Sequence, residues 1–148
     1  MPGIKKLSKE FKDIRLLNLG FAAVLNRALP IGTVVEAGLC YSPYTEEEIH
    51  LQKSGLTIQS VGCMTIREAE KHFHFSQKKS YINIVDMELF FLAEEARRLS
   101  LPLTSIKVVS DYYEERVPAG RLIETAPPLC HKLYESYMSY KEKGNDLV

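Results

Sequence analysis

Val85-Asp86-Met87-Glu88, a helix-length stretch behind it, and Val108-Val109-Ser110-Asp111 farther along decide how this chain is read. Residues 82–85 form a brief β-prone run, so an acid stands at the mouth of whatever follows. From 87 to 99 the pattern is helical. Leu89, Leu92, Ala93, Ala96 and Leu99 share one face, and Glu94, Glu95, Arg97 and Arg98 the other. Pro102 stops the helix. Residues 105–110 then read as a buried strand ending at a second acid, Asp111. In open α/β sheets ligands bind beyond the carboxyl ends of the strands. Both acids are therefore placed to face one crevice.

Outward from this centre the elements interleave. Toward the N-terminus, residues 33–41 are β-rich, and 56–62 alternate as a strand should. Residues 14–19 are a short apolar run closed by Gly20, the mark of a buried strand. Residues 22–25 suggest a turn, and Pro30-Ile31-Gly32 a break. Residues 8–13 resemble the end of a helix, with Leu7 and Phe11 four apart. Thr45 ahead of Glu46, Glu47 and Glu48 is placed to cap a short helix. Thr65 with Glu68 three residues later forms a capping-box pattern opening a helix over 65–73. A terminal helix is expected over 126–143, with Pro127 and Pro128 in its first turn and Lys141 and Lys143 at its end. Strands alternating with helices specify an α/β sheet covered by helices, in one domain spanning residues 1–148.

Composition narrows the function classes. Nineteen basic and nineteen acidic side chains cancel, so no net field gathers nucleic acid or an anionic membrane. No stretch approaches the ~18 apolar residues of a membrane span. The N-terminus carries charge without the apolar run of a signal peptide. Cys40, Cys63 and Cys130 are widely spaced and odd in number, which fits thiols in a reducing cytoplasm better than a disulfide framework. His72 and His74 lack the companions of a metal site. Cys130 and His131 are adjacent and would point about 100° apart on a helix. Tyr134, Tyr137 and Tyr140 share a helical face suited to a core or an interface, whereas Tyr112 and Tyr113 follow Asp111 and are candidates to line a pocket.

The ordered motifs resemble the purine nucleoside phosphorylase/nucleosidase superfamily, most closely its methylthioadenosine/S-adenosylhomocysteine nucleosidase branch. That family carries a V-D-M-E segment opening a helix, then a G-V-P-like turn, read here as Leu101-Pro102-Leu103, and a strand ending in I/V-S-D. Leu17-Asn18-Leu19-Gly20-Phe21-Ala22 followed by Leu29-Pro30-Ile31-Gly32-Thr33-Val34-Val35 is similar to the family's N-x-G-x-A-G-G-L … L-x-I-G-D-V-V. The resemblance spans residues 14–140. It implies a three-layer α/β fold with a mixed central sheet, and cleavage of the N-glycosidic bond of a purine nucleoside, by water or with phosphate as co-substrate. It needs no metal or organic cofactor. By the resemblance, Glu88 accepts hydrogen bonds from the ribose hydroxyls, Met87 packs on the sugar, Asp111 serves N7 of the base as catalytic acid, and Ser110 supports Asp111.

The pattern also departs from the family. The strands that open the family's fold, with their phosphate- or water-handling groups, have no counterpart before Asn18. The family's G-x-A-G-G becomes Gly20-Phe21-Ala22-Ala23-Val24, and Val is a poor residue for positive φ. Leu89, Phe90 and Phe91 stand where the family has small residues, to fill the pocket or to cover an exposed face. An uncovered strand edge invites pairing with another chain. The expectations are thus a homo-oligomer, or a separate chain supplying the missing segment. A non-catalytic remnant that binds a nucleoside or serves as an interaction subunit is the alternative to an active enzyme.

Overall fold

A computed structural model describes residues 14–67, 79–115 and 119–143. Among these residues five strands precede the first helix, and one more strand precedes the second: β1 (Leu16–Val24), β2 (Val34–Tyr41), β3 (Glu48–His50), β4 (Gln59–Thr65), β5 (Ile82–Asp86), α1 (Leu89–Arg98), β6 (Leu103–Tyr112) and α2 (Ala119–Glu142). The sheet is mixed, in the order β3-β2-β4-β5-β1-β6, and β2 also pairs with β6. β1 runs parallel to β6 along its full length, whereas β5 meets β1 antiparallel only at Ala23 and Val24.

Period-two alternation sorts the side chains into layers. Leu103 and Val109 of β6 join Leu16, Ala22 and Val24 of β1 beneath Leu89, Phe90, Ala93 and Ala96 of α1. Ile106 and Val108 face the other way, toward Leu129 and Leu133 of α2. The result is α1, sheet and α2 in three layers, as expected. Tyr140 is buried, Tyr137 half-buried and Tyr134 exposed, so the expected tyrosine face contributes one residue to the core.

Several local expectations change. β1 does not stop at Gly20 but continues through Val24, so of the expected turn over 22–25 the first three residues are strand and the chain bends at Leu25. Thr45 caps no helix. Ser42 and Glu46 close a turn, with Glu46 at φ 60°, and Glu48 opens edge strand β3 against Tyr41. Thr65 ends β4 instead of starting a helix. Ile66 and Arg67 are not helical; residues 68–73, like residues 8–13, His72 and His74, lie outside the described residues. α2 begins at Ala119, so Pro127 and Pro128 sit inside it. Each removes one N–H from the helix ladder, and the Thr125 hydroxyl bonds back to the carbonyls of Arg121 and Leu122.

Cys40 and Cys63 sit opposite one another on β2 and β4, both fully buried. Burial pushes the Cys40 thiol up to about 12 and lifts Cys63 well above the ordinary thiol range, with the Asp86 carboxylate adding to both. Cys130 is exposed. Reaction needs the thiolate and access. In the native protein a small aromatic disulfide reagent should therefore titrate one thiol promptly, and all three only after unfolding. Rapid modification of two or more native thiols would contradict this packing.

Candidate functional site

The helix that carries Glu88 is tied down at its first turn. The Leu89 and Glu88 amides donate to Asp86 Oδ2 at 2.8 and 3.3 Å, and the Phe90 amide donates to Thr65 Oγ1 at 2.9 Å. Thr65 in turn donates to Asp86 Oδ1 at 2.6 Å. Three of the helix's orphan N–H groups are satisfied by the ends of β4 and β5. Thr65 thus does cap a helix, but a helix 24 residues beyond it in sequence.

Asp86 also anchors a buried cation. Lys107, 1% exposed, places Nζ 3.2 Å from Asp86 Oδ2 and 3.6 Å from Glu88 Oε1. The lysine rises from β6 on the α1 side, opposite Gly20 of β1. A Cβ at Gly20 would lie 3.0 Å from Lys107 Nζ and 3.5 Å from Glu88 Oε1. Gly20 is therefore small to leave room for this ion pair. Asn18 Nδ2 donates to Glu88 Oε1 at 3.3 Å and Asn18 Oδ1 accepts from Ser105 Oγ at 2.9 Å. Glu88 itself stays more than half exposed, its side chain at 58%. It is a carboxylate fixed from behind and open in front.

At the far end of β6, Ser110 Oγ donates to Asp111 Oδ1 at 2.6 Å and is buried, while Asp111 is half-exposed. Glu88 and Asp111 border one cleft of about 550 Å³, with Phe21, Ala22, Ala23, Ile66, Met87, Ser110 and Tyr113 among its walls. That volume lies in the range of small-molecule sites. All four sequence-derived site residues, Met87, Glu88, Ser110 and Asp111, meet there. Tyr113 lines the cleft as well, but Tyr112 turns away to lie under the Arg27 guanidinium, 4.9 Å from its ring centroid.

Two departures from the family pattern read differently in three dimensions. Ala23 and Val24 follow a register shift in β1 but lie within the strand and not at positive φ, so their Cβ atoms bring none of the strain of the left-handed region. Leu89 and Phe90 belong to the main core, and Phe91 is exposed. None of the three borders the cleft. Sequence reasoning missed Lys107, Asp86 and Asn18. The available signal was a lysine set between Ile106 and Val108, inside the apolar stretch of a strand.

No known family profile matches the sequence, and no curated protein does. Solved structures do. The Chlamydia trachomatis CT263 (MTAN) structure superposes with a TM-score of 0.71 at 24% identity, covering 86% of this chain and 63% of that one. A CT263 variant bound to MTA gives 0.70 at 25% identity, with coverages of 88% and 66%. The apo 5′-methylthioadenosine nucleosidase of Arabidopsis thaliana gives 0.74 at 15% identity, with coverages of 94% and 66%. The chain thus has the nucleoside phosphorylase/nucleosidase fold and spans somewhat under two thirds of the length of the first of these structures.

Proposed function

We propose that this protein cleaves the N-glycosidic bond of a purine nucleoside, with Glu88 holding the ribose and Asp111 serving the base. The observation that carries the reading is the cleft itself: one wall presents a pinned, open carboxylate and the other a Ser110-supported acid. Breaking C1′–N9 builds positive charge on the sugar and negative charge on the base. Glu88 accepts hydrogen bonds from the ribose hydroxyls and lies on the side where positive charge grows. Met87, 52% exposed, offers an apolar surface to the sugar. Asp111 delivers a proton to N7, so the base leaves neutral.

Water is the nucleophile this cleft suits. Its described lining contains Asp86, Glu88 and Asp111 but no lysine, arginine or histidine. Lys107, the nearest cation to Glu88, is already matched by two carboxylates. A phosphate dianion there would meet like charge, whereas water would find acceptors. In the balanced step, the hydroxyl of water adds to C1′ and its proton replaces the one that Asp111 gives to the base.

Free-base release from adenosine, inosine and methylthioadenosine, with and without phosphate, tests the reading. Release that is independent of phosphate and yields the free reducing sugar is expected. Tight nucleoside binding without turnover would instead support the binding-protein alternative. Glu88→Gln keeps the shape but halves the acceptor capacity toward the ribose diol. It should lower kcat/KM about 10- to 100-fold, the worth of one charge-assisted hydrogen bond. An unchanged kcat/KM would remove Glu88 from the site.

A further inference from the structure

β1 is paired on one side only for most of its length. β6 runs beside all of it, but β5 reaches only Ala23 and Val24. Among the described residues no strand covers the second side of residues 16–22. Every residue from 16 to 21 is half-buried rather than buried, although Leu16, Leu17, Leu19 and Phe21 are large and apolar. Natural sheet edges are blunted by charge, by proline or by a covering element. The strand reads LLNLGFAAV, with neither charge nor proline. Met87, 52% exposed, shares the cleft wall with Phe21 at the end of this edge. The open backbone edge thus runs up to the apolar wall of the cleft.

We propose that this edge pairs with the same edge of a second copy, β1 against β1 in antiparallel register centred on Leu19. The sequence is self-complementary in that register. Leu17 falls opposite Phe21, an aliphatic–aromatic cross-strand pair, and Asn18 falls opposite Gly20, so the larger group meets the residue without a side chain. No like charges oppose one another. An isologous contact of this kind uses the β1 edge of both copies and so closes as a dimer. The arrangement also bears on the cleft. Residues directly opposite in an antiparallel pair share a face of the sheet, so Asn18 of the partner subunit would lie over Gly20, where Glu88 Oε1 sits. Each copy would then supply a second amide donor to the other's ribose-holding carboxylate. This inference does not depend on the protein being catalytic.

Light scattering across a dilution series, with hydrogen exchange on the same samples, tests it. The expected result is a dimer in which amides of residues 16–22 are protected and lose protection as dilution releases monomer. In a Cys130→Ser background, Leu19→Cys should cross-link two copies under mild oxidation. A monomer at every concentration overturns the proposal. So does a dimer whose 16–22 amides exchange freely, since the interface is then elsewhere. Protection of those amides in a monomer also overturns it and assigns the edge to a strand of the same chain.

Discussion

Asp111→Asn is expected to leave nucleoside binding nearly intact and to reduce base release by about 10²- to 10⁴-fold, the usual worth of a positioned general acid. Asparagine has the size of aspartate and still bonds to Ser110, so the cleft keeps its shape. It has no acidic proton to give N7, and the base must then leave as an anion. The loss should fall on kcat, because the interaction belongs to the transition state and not to the bound substrate. Ser110→Ala should show a smaller loss in the same direction, since Ser110 acts through Asp111 at 2.6 Å. Single-turnover kinetics and a separate binding titration make the distinction. Equal losses in binding and turnover would show that Asp111 merely holds the ligand.

Lys107→Met should destabilise the fold by about 3 kcal/mol, the typical result of stranding one partner of a buried ion pair. Methionine matches the length of the lysine stem, so packing is largely kept. The Asp86 side chain, 3% exposed, would retain Thr65, Cys63 and two helix amides but lose its counter-ion. At this chain length about 3 kcal/mol lowers Tm by roughly 6–12 °C. Removing the second charge as well, in Lys107→Met with Asp86→Asn, should restore a large part of the loss, because the two sites are coupled. Additive losses would show that Lys107 and Asp86 do not act as a pair. Activity should fall further than stability explains, since Lys107 also lies 3.6 Å from Glu88.

The residues of the site were legible in the sequence where they end an element, and hidden where they sit inside one. Glu88 stands just ahead of a helix and Asp111 near the tip of β6; period marks such positions, and the family resemblance assigned them their roles. Lys107 occupies the middle of β6. Its neighbours announce a strand, but nothing local says which side of the sheet holds a counter-charge. That information comes from β5, twenty-one residues earlier. Gly20 misled for the same reason. Glycine in a run usually marks an end, whereas here it accommodates the lysine of the neighbouring strand.

Thr65 repeats the lesson. Its capping chemistry was visible, but the helix it serves is distant in sequence. The acidic run at residues 46–48 satisfied helix-start preferences, yet the antiparallel partner Tyr41 was available at short range and drew Glu48 into a hairpin. Pro127 and Pro128 were placed at a helix start because isolated propensity puts them there. Packing of Leu129, Leu133 and Tyr140 on the sheet carries the helix, which extends through the prolines at its exposed face. In each case tertiary contacts outweighed local preference.

A structure of Asp111→Asn soaked with a purine nucleoside addresses the core of this account most directly. The ribose hydroxyls should lie within hydrogen-bond distance of the Glu88 carboxylate, with N7 of the base beside the side chain at position 111 and Met87 against the sugar. A nucleoside bound elsewhere, or one turned so that Glu88 and position 111 touch the same end of it, would contradict the account.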